Sequence, residues 1–267
     1  MEVTKHVPGT FCWVELGTSD QNAAKKFYGE LFGWTAEDVP IGPDSVYTMF
    51  KLNGKDVGAA YTLGPDELSM GIPPYWGLYI NVESADQAVK AIVAAGGTVV
   101  AEPFDVFDVG RMAIAQDPTG AHFKVWQPLN HIGVGVANEL NAMCWSELAT
   151  RDVPAAKKFY STAFGWDPQT KGEDSPMPYT EIFLNDEDGK PFPFGGMYSM
   201  MPHMQGIPPH WMPYYAVADC DATVEKAKSL GAQIHVPPTD IPNTGRFSMM
   251  TDPQGAAFAV IKLDFPM

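Results

Sequence analysis

The sequence has few cysteines, little positive charge and no long apolar run. Its three cysteines, Cys12, Cys144 and Cys220, are too few and too scattered for a disulfide framework or a zinc motif. The net charge of −15 argues against nucleic-acid and anionic-membrane partners, which require clustered Lys and Arg. No stretch approaches the roughly 18 apolar residues of a transmembrane helix, and the N-terminus lacks the apolar core of a secretory signal. We therefore expect a cytoplasmic protein.

The chain contains an internal repeat. Residues 12–28 recur at 144–160 with 12 of 17 positions identical, and Phe-Gly-Trp follows in both places. Gly-Ile-Pro-Pro occurs at 71–74 and 206–209, and Asp-Pro-x-Gly at 117–120 and 252–255. A chain of 267 residues is long enough for two domains of ordinary size. The repeat predicts one domain over residues 1–127, a linker over 128–139, and a second domain over 140–267; these domains are called the first copy and the second copy.

Each copy has the pattern of an α+β domain. In the first copy, Thr18-Ser19-Asp20 predicts a helix start, and apolar residues at helical spacing continue to a stop at Gly33. A second helix is predicted over 86–95, and Asn53-Gly54 is typical of a hairpin turn. Strands are predicted over residues 11–16, 46–52, 57–63, 75–82, 98–101, 112–116 and 121–126. Each copy therefore reads as two strand–helix–strand–strand–strand units, four in the chain.

These motifs resemble the vicinal-oxygen-chelate superfamily, which includes glyoxalases, bleomycin-resistance proteins and extradiol dioxygenases. A short Asp-led helix ending in Phe-Tyr, with Phe-Gly following, occurs over residues 18–33 and 150–165, and the closing Asp-Pro-x-Gly turn occurs in both copies. The resemblance covers nearly the whole chain and is closest to two-domain bacterial glyoxalase-like proteins. It implies tandem domains in which paired βαβββ units form a half-open barrel, with a ligand on the concave face, commonly beside a divalent metal.

The metal site that the resemblance implies is not matched by the residues present. Its usual His, Gln or Glu ligands are replaced by groups that cannot coordinate a divalent ion. These positions hold Trp13, Lys124 and the Trp76-Gly77 pair in the first copy, and Trp145, Ala259 and the Trp211-Met212 pair in the second. We therefore expect no metal at the usual positions and no other cofactor. Glu15 and Glu147, two residues beyond the first-strand tryptophans, leave a non-standard metal site open.

Strand alternation indicates which residues line the two concave faces. On the first strand, Val14 and Leu16 should pack under the helix while Trp13 and Glu15 face the barrel interior. The candidate site of the first copy comprises Trp13, Glu15, Trp76, His122 and Lys124, and that of the second comprises Trp145, Glu147, His210, Trp211 and Tyr214. Glu15, His122 and Lys124 are the candidate catalytic acid–base set, and the others are candidate ligand contacts. Alternatively, Glu15 and Lys124 form a structural ion pair, and the tryptophans simply fill the barrels.

Three functions remain open. The first is metal-free binding of an aromatic or drug-like small molecule by a monomer or homodimer. The second is an enzyme of lyase, isomerase or dioxygenase type that uses Glu15, His122 and Lys124 or a non-standard metal site. The third is a structural or regulatory protein whose cavities are filled by its own side chains. A solvent-filled pocket beside Trp13 and Lys124 favours the first two, and an occluded one favours the third.

Overall fold

A computed structural model describes residues 2–43, 45–174 and 177–265. The first copy contains β1 (Phe11–Thr18), α1 (Gln21–Phe32), β2 (Thr35–Gly42), β3 (Ser45–Leu52), β4 (Lys55–Thr62), α2 (Pro65–Ser69), β5 (Tyr75–Asn81), α3 (Ala85–Ala94), β6 (Thr98–Val106), β7 (Gly110–Gln116) and β8 (His122–Pro128). The second copy contains β9 (Met143–Thr150), α4 (Val153–Phe164), β10 (Asp167–Lys171), β11 (Tyr179–Asn185), β12 (Pro191–Ser199), a 3-10 turn (Pro202–Met204), β13 (His210–Ala216), α5 (Cys220–Ser229), β14 (Gln233–Ile241), β15 (Gly245–Thr251) and β16 (Ala257–Leu263). Over these ranges, no helix has the length and apolar character needed to span a membrane.

Each copy forms its own eight-stranded mixed sheet. The strand order is β2-β3-β4-β1-β5-β8-β7-β6 in the first copy, and β10-β11-β12-β9-β13-β16-β15-β14 in the second. In the centre of the first sheet, β1 pairs antiparallel with β5, and each of these strands has a parallel neighbour on its other side. The predicted α+β architecture of tandem paired units is confirmed. Because each sheet uses the strands of one copy only, each concave face is built within one copy.

The capping chemistry explains where the first helix of each copy begins and ends. The Asp20 carboxylate accepts a hydrogen bond from the backbone N–H of Ala23, and Asp152 caps α4 in the same way. Gly33 and Gly165 end these helices with φ of 74° and 70°, in the left-handed region that favours glycine. The predicted limits of α1 are therefore confirmed.

Two elements of the first copy were not located from the sequence. Strand β2 lies at the sheet edge with every residue exposed, so its residues show no apolar alternation. The short helix α2 follows β4 and begins at Pro65, a favoured residue for the first turn of a helix. Both elements lie on the half of the sheet formed by the first unit.

The two copies share one large core between their sheets, with apolar residues from both copies. Several long-range hydrogen bonds cross it, and two of them join buried side chains of the repeated motifs. Tyr28 on α1 donates to Asp252 of the second copy at 2.9 Å, and Tyr160 on α4 donates to Asp117 of the first at 3.0 Å. The Phe-Tyr motif of each copy is therefore anchored on the Asp-Pro-x-Gly turn of the other.

Candidate functional site

The concave face of each sheet begins with the residues predicted from β1. Val14 and Leu16 belong to the shared core, whereas Trp13 packs in a separate cluster on the opposite face of the sheet. Glu15 lies on that same face, hydrogen-bonded to residues of β3 and β8. The predicted inward orientation of Trp13 and Glu15 is confirmed.

A buried ion pair occupies the centre of the concave face in the first copy. Lys124 Nζ lies 2.5 Å from Glu15 Oε1, and the side chains are only 8% and 10% exposed. Tyr47 donates its hydroxyl to Glu15 Oε2 at 2.7 Å and accepts a hydrogen bond from Trp13 Nε1 at 3.1 Å. The inward orientation predicted for Lys124 is therefore confirmed, and Glu15 has partners on both carboxylate oxygens.

Tyrosine rings surround the ammonium group of Lys124. Its Nζ lies 4.9 Å from the ring centre of Tyr79 and 5.8 Å from those of Tyr61 and Tyr75. At such distances an aromatic ring attracts a cation electrostatically. Burial lowers the pKa of Lys124, but the charge of Glu15 and the other acidic groups outweighs burial, so the net shift is upward. The lysine is therefore held in its charged form.

The same position in the second copy holds a carboxyl group with a different set of partners. Tyr179 donates to Glu147 Oε1 at 2.8 Å, and Tyr214 donates to Glu147 Oε2 at 2.6 Å. Trp145 Nε1 donates to the Tyr179 hydroxyl at 2.9 Å, as Trp13 does to its tyrosine in the first copy. Where β8 carries Lys124, β16 carries Ala259, so this carboxyl group lacks the lysine partner.

The loss of the lysine is coupled to a second difference on the neighbouring strand. Gly77 lies opposite Glu15, and a Cβ atom there would lie 3.4 Å from Lys124 Cε and Nζ. In the second copy Met212 lies opposite Glu147 and packs against Ala259. Gly77 and Lys124 of the first copy thus correspond to Met212 and Ala259 of the second. The second face therefore lacks the positive charge that lies at the centre of the first.

Burial raises the pKa of the Glu147 carboxyl, and the hydrogen bonds from Tyr214 and Tyr179 offset only part of this shift. A carboxylate in a low-dielectric site without a cation is unfavourable, so the neutral acid is favoured over a wider pH range than usual. A neutral carboxylic acid can donate a hydrogen bond, which a carboxylate cannot. The two copies therefore present an ion pair and a buried carboxyl group that has tyrosine partners and no cation.

Trp76 and Trp211 do not face the barrels, and this part of the prediction was wrong. Trp76 lies directly opposite Leu16, and residues directly opposite each other in an antiparallel pair share a face, here the shared core. Its Nε1 donates to Tyr28 at 3.0 Å, and Trp211 donates to Tyr160 at 2.7 Å. Both tryptophans therefore support the contact between the copies.

The remaining predicted residues lie on or beside the concave faces. His122 is exposed at the first residue of β8, two residues before Lys124. His210 opens β13, where its Nδ1 lies 2.9 Å from the Pro208 carbonyl, and Tyr214 contacts Glu147 from the same strand. Their roles in catalysis or binding remain predictions. Tyr47 and its counterpart Tyr179 were not predicted as site residues, although both alternate with residues of the shared core on their strands.

The residues present do not fit the divalent metal that the family resemblance implies. The first copy offers one carboxylate, already bound by the Lys124 ammonium, and the second offers Glu147 beside Met212 and Ala259. Across the part of the chain that the structure describes, no three His, Cys, Asp or Glu side chains come together as a set that could hold a metal ion. An ammonium group at a ligand position also repels a dication.

Comparison with known proteins agrees with this architecture. The model of the Glyoxalase/Bleomycin resistance protein/Dioxygenase superfamily matches residues 10–125 and again 129–260. The chain is 42% identical over 255 residues to "Putative glyoxylase CFP32" of Mycobacterium tuberculosis, covering 95% of each chain. It is 35% identical over 275 residues to "Anthracycline biosynthesis protein DnrV" of Streptomyces peucetius, covering 98% of this chain and 96% of the relative.

A solved structure shows the same fold at low sequence identity. The Mn(II)-bound glyoxalase from Novosphingobium aromaticivorans superposes with a TM-score of 0.63 at 17% identity, covering 97% of this chain and 86% of that one. The two matched ranges of the family model correspond to the two sheets described above. The chain therefore belongs to the Glyoxalase/Bleomycin resistance protein/Dioxygenase superfamily, as two tandem copies of its domain.

Proposed function

We propose that this protein binds a small aromatic organic molecule on the concave face of its second copy, without a divalent metal ion. The observation that carries the proposal is the difference between the two faces. Trp13 and Met112 are buried in the first copy, whereas their counterparts Trp145 and Phe247 are partly exposed in the second. The first copy is closed around an ion pair, and we infer that its role is structural.

The chemistry of the second face suits a ligand that combines rings with oxygen atoms. Trp145, Tyr179 and Phe247 offer partly exposed aromatic surface, and aromatic pairs add roughly 0.5–1.5 kcal/mol beyond the area they bury. The Glu147 carboxyl group can accept a hydrogen bond from a phenol hydroxyl of the ligand. The methionine Met249 gives the face an adaptable apolar surface.

The comparisons are compatible with this proposal. The relative from Streptomyces peucetius takes its name from anthracycline biosynthesis, which concerns an aromatic class of small molecules. We propose that the present chain acts in the cytoplasm, as a monomer or homodimer, with the small molecule as its partner.

A second candidate function is catalysis by proton transfer. The raised pKa of Glu147 favours it, because a general acid must hold its proton near neutral pH. The acid–base set predicted in the first copy is less favoured, since Glu15 and Lys124 are committed to each other and His122 is exposed. If turnover of a carbonyl compound is found, Glu147→Gln should abolish it and retain binding.

Matched hydroxyl deletions test the binding proposal. Tyr179→Phe and Tyr47→Phe remove equivalent groups from the second and first copies. In calorimetric titrations with an anthracycline and then with simple phenols, Tyr179→Phe should weaken binding up to about tenfold, because Glu147 and Trp145 lose the hydroxyl that holds both side chains in position. Tyr47→Phe should leave binding unchanged. Equal losses in the two variants, or no saturable binding of any probe, would overturn the proposal.

Metal analysis tests its metal-free part. Protein purified without added metal should contain much less than one Zn, Ni, Mn or Fe ion per chain. Its melting temperature should not rise when these divalent ions are added. One tightly held ion per chain would refute the metal-free part and would direct attention to Glu15 or Glu147 as its ligand.

A further inference from the structure

The first and fourth strands of each copy leave a gap at their starting ends. In the first copy, β1 and β4 pair in parallel only from Glu15 and Ala59 onward. The segment after β8 fills the gap before them. Val134 donates its backbone N–H to the Cys12 carbonyl at 2.8 Å, and Gly135 donates to the Asp56 carbonyl at 2.8 Å. The linker is thus an added element of the first barrel.

The side chain of Val134 fills the first gap completely. It is fully buried and packs in one cluster with Cys12 and Trp13. Gly133 lets the linker approach this closely, because a Cβ atom there would lie 2.2 Å from the Cys12 carbonyl oxygen. The first copy therefore shows what the gap accepts, which is a compact apolar group lying against a cysteine and a tryptophan.

The equivalent gap in the second copy is a cavity. Strands β9 and β12 pair only from Glu147 and Gly196 onward, so their starting ends are also apart. The cavity between these ends has a volume of about 180 Å³. Its walls include Cys144 and Trp145 on β9, Phe192 and Phe194 on β12, His6 from the N-terminal segment, and Phe11 at the start of β1. We call it the strand-gap cavity.

The polar groups at its border are mostly occupied or uncharged. The Thr10 hydroxyl donates to the Val7 carbonyl at 2.8 Å, and His6 Nε2 lies 3.1 Å from the Val134 carbonyl. Burial lowers the pKa of His6, so its ring is neutral at physiological pH. The cavity therefore offers aromatic contacts and no charge, which favours a neutral apolar guest.

We propose that the strand-gap cavity is a second binding site, adjacent to the concave face and sharing Trp145 with it, for a neutral molecule containing a single aromatic ring. An apolar protein cavity of roughly 150 Å³ is known to hold benzene, whereas sites for drug-sized ligands begin at roughly 300 Å³. The volume thus matches a single ring better than a fused ring system. The guest contacts Cys144, Trp145 and Ser146 on β9.

Substitution at Ser146 tests this proposal directly. Ser146 lines the cavity, and its counterpart in the first copy is Val14, which the fold accommodates fully buried. Ser146→Val therefore narrows the cavity with a residue already tolerated at this position of the fold. Ser199→Val makes the same change at an exposed site on β12 and serves as the control.

The probe is fluorobenzene, and its binding to the full-length chain is measured by ¹⁹F NMR titration. Saturable binding is expected for the wild type and for Ser199→Val, with at least fivefold weaker binding for Ser146→Val. Phe192→Ala, at a half-buried residue, should widen the cavity and admit naphthalene, which the wild type should exclude. Absence of fluorobenzene binding, or equal binding by the two serine variants, would overturn the proposal.

A further variant separates this site from the concave face. Tyr179→Phe should leave fluorobenzene binding unchanged, because Tyr179 lies on the concave face and does not line the strand-gap cavity. If Tyr179→Phe weakens fluorobenzene binding as much as Ser146→Val does, the ring binds on the concave face and the second site is refuted. Loss of anthracycline binding alone bears on the proposed function and leaves this proposal standing.

Discussion

Removing the same carboxylate from each copy should have unequal consequences for stability. Glu15→Gln leaves the ammonium group of Lys124 buried, with the Tyr79 hydroxyl at 3.3 Å and the surrounding rings as its remaining contacts. Breaking a buried ion pair by removing one partner costs about 3–5 kcal/mol, because an uncompensated charge remains. Since the Lys124 and Glu15 side chains are only 8% and 10% exposed, solvent screens the pair little. We expect a loss of free energy of unfolding in this range.

Glu147→Gln should be close to neutral, because Glu147 has two tyrosine partners in place of the ammonium. Its pKa in the folded state is raised above the ordinary value of 4.5. The stability that such a group contributes is fully present below its unfolded pKa and is lost as the pH rises through its folded pKa. The wild type therefore carries a penalty at high pH that the glutamine removes. The substitution should cost at most about 1 kcal/mol at pH 5, and less at pH 8.

Urea unfolding followed by circular dichroism at pH 5 and pH 8 measures both effects. A double variant, Glu15→Gln with Lys124→Met, is the control, because replacing both members of a buried ion pair by neutral groups is often nearly neutral. Most of the stability lost in Glu15→Gln should therefore return in the double variant. Equal losses for Glu15→Gln and Glu147→Gln at both pH values would refute the electrostatic assignment of the two faces.

Three further predictions concern the contacts that hold the fold. Tyr28→Phe deprives buried Asp252 and Trp76 of their shared partner and should lower the free energy of unfolding by about 1–3 kcal/mol in urea titrations. Gly133→Ala should lower it by more than about 1 kcal/mol, since φ is +114° and the added Cβ meets the Cys12 carbonyl; an unchanged urea midpoint would contradict this. Trp76→Phe should destabilise the chain in the same assay and leave ligand binding, measured by calorimetry, unchanged. Weakened binding would show that Trp76 belongs to the binding site.

The sequence alone predicted the structure correctly where contacts between residues close together in the chain determine it. The Asp20 cap and the Gly33 stop define α1 through contacts within a few residues. Alternation on β1 was correct because one of its faces is wholly apolar. Arg111 and Asp105 form an ion pair at 2.8 Å in the same local way, across neighbouring strands joined by a short turn.

The errors concern features that depend on distant partners. The orientation of Trp76 depends on its register against β1, about 60 residues earlier in the chain, and the polar and apolar residues of β5 do not alternate clearly. Strand β2 is exposed along its whole length and contains Pro40, so neither periodicity nor propensity identifies it. The partners of Glu147 lie on β11 and β13, and no spacing rule brings these strands to one carboxyl group.

Comparison of the two copies within one chain separates the residues that hold the fold from those that define the sites. The hydrogen bond from Tyr28 to Asp252 has an equivalent from Tyr160 of the second copy to Asp117 of the first. A change in either copy therefore damages the core of both. Residues in these contacts are accordingly identical in the two copies. The hydrogen-bonded residues of each concave face have their partners within the same copy. These residues have diverged between the copies, as Lys124 and Ala259 illustrate. Because the two copies share one core, one barrel can remain closed and contribute to stability while the other evolves to bind a ligand.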